Sequence, residues 1–123
     1  MPVWAFLQWY GAPLIMATVS AIYFFADRRR PAYADRLISS AHGIVGVLLY
    51  FAAFAVWWSS PNEARPSLAN PYAFLYLVPL GLIGVSLFRF RGPRFIHLLQ
   101  LPNLAALAWA LFVGSMAISG DWL

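Results

Sequence analysis

The sequence predicts an all-α integral membrane protein with four transmembrane helices, arranged as two hairpins of the same orientation with both termini outside. Two observations lead to this fold. Four stretches without a charged residue, 3–25, 37–58, 72–88 and 95–119, alternate with short polar segments. Each stretch approaches or exceeds the roughly 20 mostly apolar residues that cross a bilayer. The second observation is that seven of the eight arginines lie in only two of the polar segments.

The composition supports a single membrane domain, 1–123. Of the 123 residues, 63% are hydrophobic and 10% are charged, whereas a water-soluble domain carries more charge on its surface. Cysteine is absent, which excludes disulfides, cysteine-ligated zinc and iron–sulfur clusters. Arginines follow the first apolar stretch and none precedes it, so this stretch is predicted to remain as an anchor and not to be cleaved as a signal peptide.

The distribution of arginine predicts the orientation. Short arginine-rich loops stay on the cytoplasmic side of a membrane. Loops 26–36 and 89–94 are rich in arginine, whereas 59–71 contains Arg65 alone, offset by Glu63. We expect the arginines of the two rich loops to set the topology and to be available to anionic lipid head groups. They are Arg28, Arg29, Arg30, Arg36, Arg89, Arg91 and Arg94.

The tryptophans predict the same orientation independently. Trp4, Trp57, Trp58 and Trp122 all fall at the predicted outer ends of the helices, and tryptophan prefers the boundary between membrane and water. The segment 59–71 contains several prolines and asparagines, so it is predicted to be an exposed connection without an element of its own.

The halves 1–58 and 67–123 share a weak repeat at an offset of 66 residues. A duplicated hairpin is one interpretation, and chance similarity between two apolar helices is the other. The repeat covers only the first and third helices and the arginines that follow them. Tyr10, Pro13, Leu14, Val19, Ser20, Phe24 and Arg28 match Tyr76, Pro79, Leu80, Val85, Ser86, Phe90 and Arg94.

Three prolines lie inside the predicted helices. Pro13, Pro79 and Pro102 each lack the N–H that continues the helical hydrogen-bond ladder, so we expect them to bend their helices. One interpretation is that the bends shape the bundle for packing. The other is that they form a hinge or open a ligand cavity.

Polar side chains within the apolar stretches are the candidate site. His97, Gln100 and Asn103 follow one another at steps of three, which places them on one helix face. Ser39 and His42 share the same spacing and a comparable depth on the second helix. We expect the two groups to fasten these helices by hydrogen bonds. Gly43 and Gly46 lie beside the second group and are expected to let another helix approach closely.

Two functional alternatives use the same residues. His42 and His97 could be the axial ligands of a haem b, with arginines near its propionates, in a haem- or quinone-binding anchor subunit. The polar groups could instead line a small channel or transporter, which would require a homo-oligomer because four helices enclose little space. All four carboxylates lie outside the predicted spans, which argues against a proton-driven exporter.

The sequence contains no nucleophile–base pair, no glycine-rich phosphate loop and no metal-ligand spacing, so no catalytic residue is predicted. The leading hypothesis is a small non-catalytic protein of the bacterial inner membrane that contacts a membrane-protein partner within the bilayer. It would be an accessory or assembly subunit, or an immunity protein that blocks a membrane-acting toxin. The expected partners are the lipid bilayer and that membrane protein or a second copy of this chain. No cofactor and no nucleic acid are expected.

Overall fold

A computed structural model describes residues 2–28, 30–59 and 65–119. Within these ranges the chain is helical and contains four segments long and apolar enough to span a membrane. The all-α fold and the multi-pass character predicted from the sequence are therefore confirmed.

The first two spans are α1, Val3–Ala26, and α2, Tyr33–Ser59. The third, Pro66–Arg89, consists of a 3₁₀ turn, Pro66–Leu68, then α3, Ala69–Leu75, and α4, Leu77–Arg89. The fourth, Arg94–Ser119, consists of a 3₁₀ helix, Arg94–Leu99, and α5, Gln100–Ser119.

Two helical segments begin earlier than the apolar stretches predict. α2 begins at Tyr33, so Asp35 lies in its first turn, where a carboxylate interacts favourably with the helix dipole. The third span begins at Pro66, a residue well suited to the first position of a helix because its missing N–H needs no partner there. The connection predicted to occupy 59–71 without an element is therefore shorter than expected.

The third span is interrupted next to Pro79. Pro79 has no N–H to donate to the carbonyl of Leu75, so the α-helical ladder cannot continue at this level. Tyr76 separates α3 from α4, and its amide donates to the Ala73 carbonyl at 3.1 Å in a tighter turn. The predicted proline effect thus takes the form of a break between two helices.

The other two prolines differ in their effect. Pro102 lies in the first turn of α5, directly after the 3₁₀ helix Arg94–Leu99, a position where a helix tolerates proline well. Pro13 lies in the middle of α1 and is buried, and the helix continues through it as one element.

Helix α2 lies at the centre of the bundle, in contact with α1, α4 and α5. Helix α1 also contacts α5, and α5 contacts α3. The third span therefore packs against α5 before its break and against α2 after it. The largest core cluster fills the space between these helices and includes Met16, Tyr50, Ile83, Leu107 and Val113.

Two backbone hydrogen bonds connect distant segments at opposite ends of the bundle. The Arg28 amide donates to the Arg91 carbonyl at 2.8 Å, which joins the segments that follow α1 and α4. We call this the arginine end. The Arg65 amide donates to the Ser119 carbonyl at 2.6 Å, which joins the start of the third span to the last residue of α5. Arg29, Glu63 and Trp122 lie outside the described residues.

Helices α1 and α2 approach each other most closely at Gly43. A Cβ atom at this position would collide with the carbonyl of Met16 and the hydroxyl of Ser20. The Gly43 amide donates to the Ser20 hydroxyl at 2.9 Å, and that hydroxyl donates to the Ser40 carbonyl. A Cβ at Gly46 would meet the Met16 sulfur. Both glycines thus permit the close helix approach that their position predicts.

We expect Gly43→Ala to destabilise the bundle by about 1–3 kcal/mol, because the added methyl group forces the helix backbones apart. Gly11→Ala is the matched control, since a Cβ there meets no atom within 4 Å. Denaturant unfolding in detergent, followed by circular dichroism, measures both variants. Equal stability of the two alanine variants would contradict the assigned contact.

Candidate functional site

Three of the predicted polar residues meet in the bundle interior. The Nε2 and Nδ1 atoms of His42 lie 3.4 Å from the side-chain amide nitrogens of Gln100 and Asn103, respectively. The Asn103 amide also donates to Gln100 Oε1 at 2.8 Å. All three side chains are buried. The spacing of three between Gln100 and Asn103 places both on the face of α5 that meets α2, as the sequence predicts.

The other two predicted residues contact α1. The Ser39 hydroxyl donates to the Asp27 carboxylate at 2.8 Å. The Nδ1 atom of His97 lies 2.8 Å from the Tyr23 hydroxyl. The expected pairing of Ser39 and His42 with His97 and Gln100 is thus only partly correct. Among the described residues, the polar contact between α2 and α5 comes from His42, and the other bonds tie α2 and the fourth span to α1.

Tyr23 connects the two groups and is missing from the predicted cluster. Its ring packs edge-on against His42 with the centroids 5.3 Å apart, and lies 5.8 Å from His97 and 4.8 Å from Phe90. The side chain is completely buried. Its sequence position carries a signal, because Ser20, Tyr23 and Asp27 are spaced by three and four and therefore share one face of α1.

Asp27 lies outside the first span, as the sequence predicts, but it belongs to the buried polar contacts. It follows the last residue of α1, yet only 3% of its surface is exposed. Burial of a carboxylate is costly unless hydrogen bonds or charges stabilise it, and the Ser39 hydroxyl supplies one such bond. Asp35 instead lies in the first turn of α2 and forms an ion pair with Arg89 at 2.7 Å. We call the contacting polar side chains of the interior the polar layer; they are Tyr23, Asp27, Ser39, His42, His97, Gln100 and Asn103.

The geometry around the histidines does not fit a haem between His42 and His97. Both imidazoles pack against the Tyr23 ring, and His97 Nδ1 lies 2.8 Å from the Tyr23 hydroxyl. In addition, both ring nitrogens of His42 face amide groups. No group of three or more His, Asp or Glu side chains that could hold a metal ion occurs in the described part of the chain.

The arginines divide into two sets. The side chains of Arg28, Arg30, Arg89, Arg91 and Arg94 are exposed at the arginine end. Arg36 instead turns inward: its guanidinium donates to the Phe24 carbonyl at 2.9 Å and lies 4.4 Å from the Phe24 ring centre. It therefore satisfies a carbonyl at the end of α1.

The repeated residues have different surroundings in the two halves. Ser20 bonds to α2, whereas the equivalent Ser86 is buried without a hydrogen-bond partner among the described residues. Tyr10 is exposed, whereas its equivalent Tyr76 is buried and shares a 2.6 Å hydrogen bond with Tyr72. The similarity in sequence thus does not extend to equivalent contacts at these positions.

Comparison with known protein families, with curated proteins and with solved structures gives no match to this chain. The function is therefore inferred from the contacts of the polar layer and from the surface of the bundle. Chemically, the layer supplies hydrogen bonds between three helices.

We expect Tyr23→Phe to lower the free energy of unfolding by about 0.5–1 kcal/mol, because it removes the hydroxyl bonded to His97 and keeps the ring. Tyr10→Phe is the control, since Tyr10 is exposed and its loss of a hydroxyl should change stability little. Thermal unfolding in detergent measures the difference. A Tyr23→Phe protein as stable as the control would show that this bond does not hold the helices together.

Proposed function

We propose that this protein is a non-catalytic, multi-pass membrane protein that acts through contacts between its helices and a partner helix within the bilayer. It would serve as an accessory or assembly subunit, or as an immunity protein that binds and blocks a membrane-acting toxin. The described polar side chains of the interior support a structural role for the polar layer, because most of them bond to one another. The observation that carries the proposal is the outer face of α4.

Two glycines open this face to a neighbouring helix. A Cβ atom at Gly81 or at Gly84 would meet no atom within 4 Å. The interior glycines differ, because a Cβ at Gly43 or Gly114 would collide with a neighbouring helix. Gly81 and Gly84 are one turn apart and share a face, so they form a shallow depression on the outside of the bundle.

Such a depression favours a helix as the partner. Between helices in lipid there is no hydrophobic driving force, and association depends on close packing of backbones at small residues. Exposed Leu77 and Phe88 flank the glycines and supply apolar contacts on either side. The only charged residue of α4, Arg89, is paired with Asp35 at its end. The face therefore suits an uncharged apolar helix.

We expect Gly81→Leu combined with Gly84→Leu to abolish association with the partner, because the leucines fill the depression. Gly11→Leu is the matched control, since it adds the same side chain at an equally open position of α1. The measurement is mild-detergent affinity purification from native membranes with mass spectrometry of co-purifying proteins. The wild type and Gly11→Leu should retain a stoichiometric membrane partner.

The same experiment distinguishes the alternatives. A partner retained by the double leucine variant would contradict the assignment of the α4 face. Recovery of the wild type without any partner would contradict the accessory or immunity function. If the wild type forms a defined homo-oligomer that the double variant disrupts, the face joins copies of this chain, and flux measurements in liposomes would then test the channel or transporter alternative.

We further propose that the protein resides in a bacterial inner membrane as two hairpins of the same orientation, with the arginine end in the cytoplasm and both termini outside. Two features of the described residues support this orientation. Five exposed arginines gather at the arginine end, as the preference of arginine-rich loops for the cytoplasm predicts. Exposed Trp4, near the start of α1, and Trp58, near the end of α2, both lie at the end of the bundle away from the arginine end.

Cysteine labelling tests the orientation directly, because the chain contains no native cysteine. Ser67→Cys places a thiol at the exposed start of the third span, and Ala34→Cys places one in the exposed first turn of α2 at the arginine end. We expect a membrane-impermeant maleimide to label Cys-substituted Ser67 in intact spheroplasts and Cys-substituted Ala34 only after lysis. The reverse pattern would indicate the opposite orientation. Labelling of both sites in intact spheroplasts would contradict the span assignment.

A further inference from the structure

A pocket of about 940 Å³ opens between α1 and α2 near the end of the bundle opposite the arginine end. Nine described residues line it, and seven of them are aromatic. Trp9 and Tyr10 come from α1, and the others come from the last third of α2, between Tyr50 and Ser59. The pocket shares no residue with the polar layer or with the glycine face of α4.

The aromatic wall is held in place by its own contacts. The Tyr50 hydroxyl donates to the Trp9 carbonyl and ties α2 to α1. The Phe54 ring packs edge-on against Trp9 with the centroids 5.8 Å apart, and lies 5.0 Å from the Tyr50 ring. These side chains therefore stay in place without a ligand, as is usual for small-molecule sites.

The dimensions of the pocket suit a small molecule that enters from one leaflet. Its volume falls near the upper end of the roughly 300–1,000 Å³ that ligand pockets span. Ten residues from Tyr50 to Ser59 extend about 14 Å along the helix axis, about half the thickness of the hydrocarbon core. Both helices are apolar membrane spans, so the pocket opens toward lipid.

The side chains that line the pocket indicate which class of ligand it favours. No charged side chain lines the pocket among the described residues, so those residues offer an ionic ligand no counter-charge in a medium where an unpaired charge is costly. An acyl chain gains little, because lipid surrounds it with equally apolar neighbours. A planar ring gains more, because aromatic side chains stack on it or pack against its edge, a contact that lipid chains cannot supply.

We propose that this pocket binds an uncharged, membrane-soluble molecule with a planar ring, which enters from the bilayer between α1 and α2. The ring packs against Phe54, Trp9 and Trp57. This site is separate from the α4 face and goes beyond the partner contact proposed above, so either can fail without the other.

Quenching of tryptophan fluorescence tests this proposal. The full chain in lipid nanodiscs is titrated with an uncharged, lipid-soluble naphthoquinone, and in parallel with a phosphatidylcholine that carries brominated acyl chains. We expect saturable quenching by the naphthoquinone and only gradual, non-saturable quenching by the brominated lipid. Saturation by the brominated lipid with similar affinity would identify the occupant as ordinary lipid and overturn the proposal.

Two variants with matched controls locate the site. Phe54→Leu removes one ring and should weaken naphthoquinone binding roughly fivefold, whereas Phe74→Leu, at a position 70% exposed on α3, should not change it. Ala55→Phe narrows the pocket from an exposed position and should also weaken binding, whereas Ala52→Phe, on the same helix outside the lining, should not. The second pair keeps the test decisive if Phe54→Leu fails to fold. Equal affinities within both pairs would overturn the assignment.

Discussion

The close approach of α1 to α2 at Gly43 is the contact on which the rest of the interior depends. Because Gly43 has no side chain, the backbone of α1 at Met16 lies directly against α2. This distance lets the Ser20 hydroxyl bond to α2 and brings Tyr23, one turn further along α1, against His42. It also places Asp27 within reach of Ser39. A bulkier residue at position 43 would separate all of these pairs.

The polar layer follows from the properties of lipid as a solvent. A polar group in the hydrocarbon region has no water to bond to, so its partner must come from the protein. The side chains of His42 and Gln100 and the amide nitrogen of Asn103 meet this requirement across α2 and α5, whereas Asn103 Oδ1 has no hydrogen-bond partner among the described residues. The Tyr23 hydroxyl connects α1 to His97 of the fourth span. Three helices are joined in this way at one level. Each bond contributes only about 1 kcal/mol or less, so the layer determines which faces meet more than it determines total stability.

The outer surface of the bundle is not uniform. Most of it consists of large apolar side chains, which lipid solvates as well as protein does. Among the described residues, two places that differ are the open glycines of α4, Gly81 and Gly84, and the aromatic pocket between α1 and α2. The first favours another helix because it allows two backbones to approach. The second favours a flat molecule because its rings offer contacts that lipid chains do not. They lie on different helices, so the two proposals concern separate parts of the surface.

The sequence by itself determined the four spans and the gathering of arginine at one end, because span length and charge pattern are local properties set by bilayer thickness. It also identified His42, Gln100 and Asn103, since polar residues stand out in apolar helices. It did not identify Tyr23 or Asp27 as part of the polar layer, nor the inward turn of Arg36. Only the tertiary structure decided these, because the helices are apolar on every side and their rotation about their own axes depends on packing. The same rotation decided that Gly43 faces a neighbour while Gly81 faces outward.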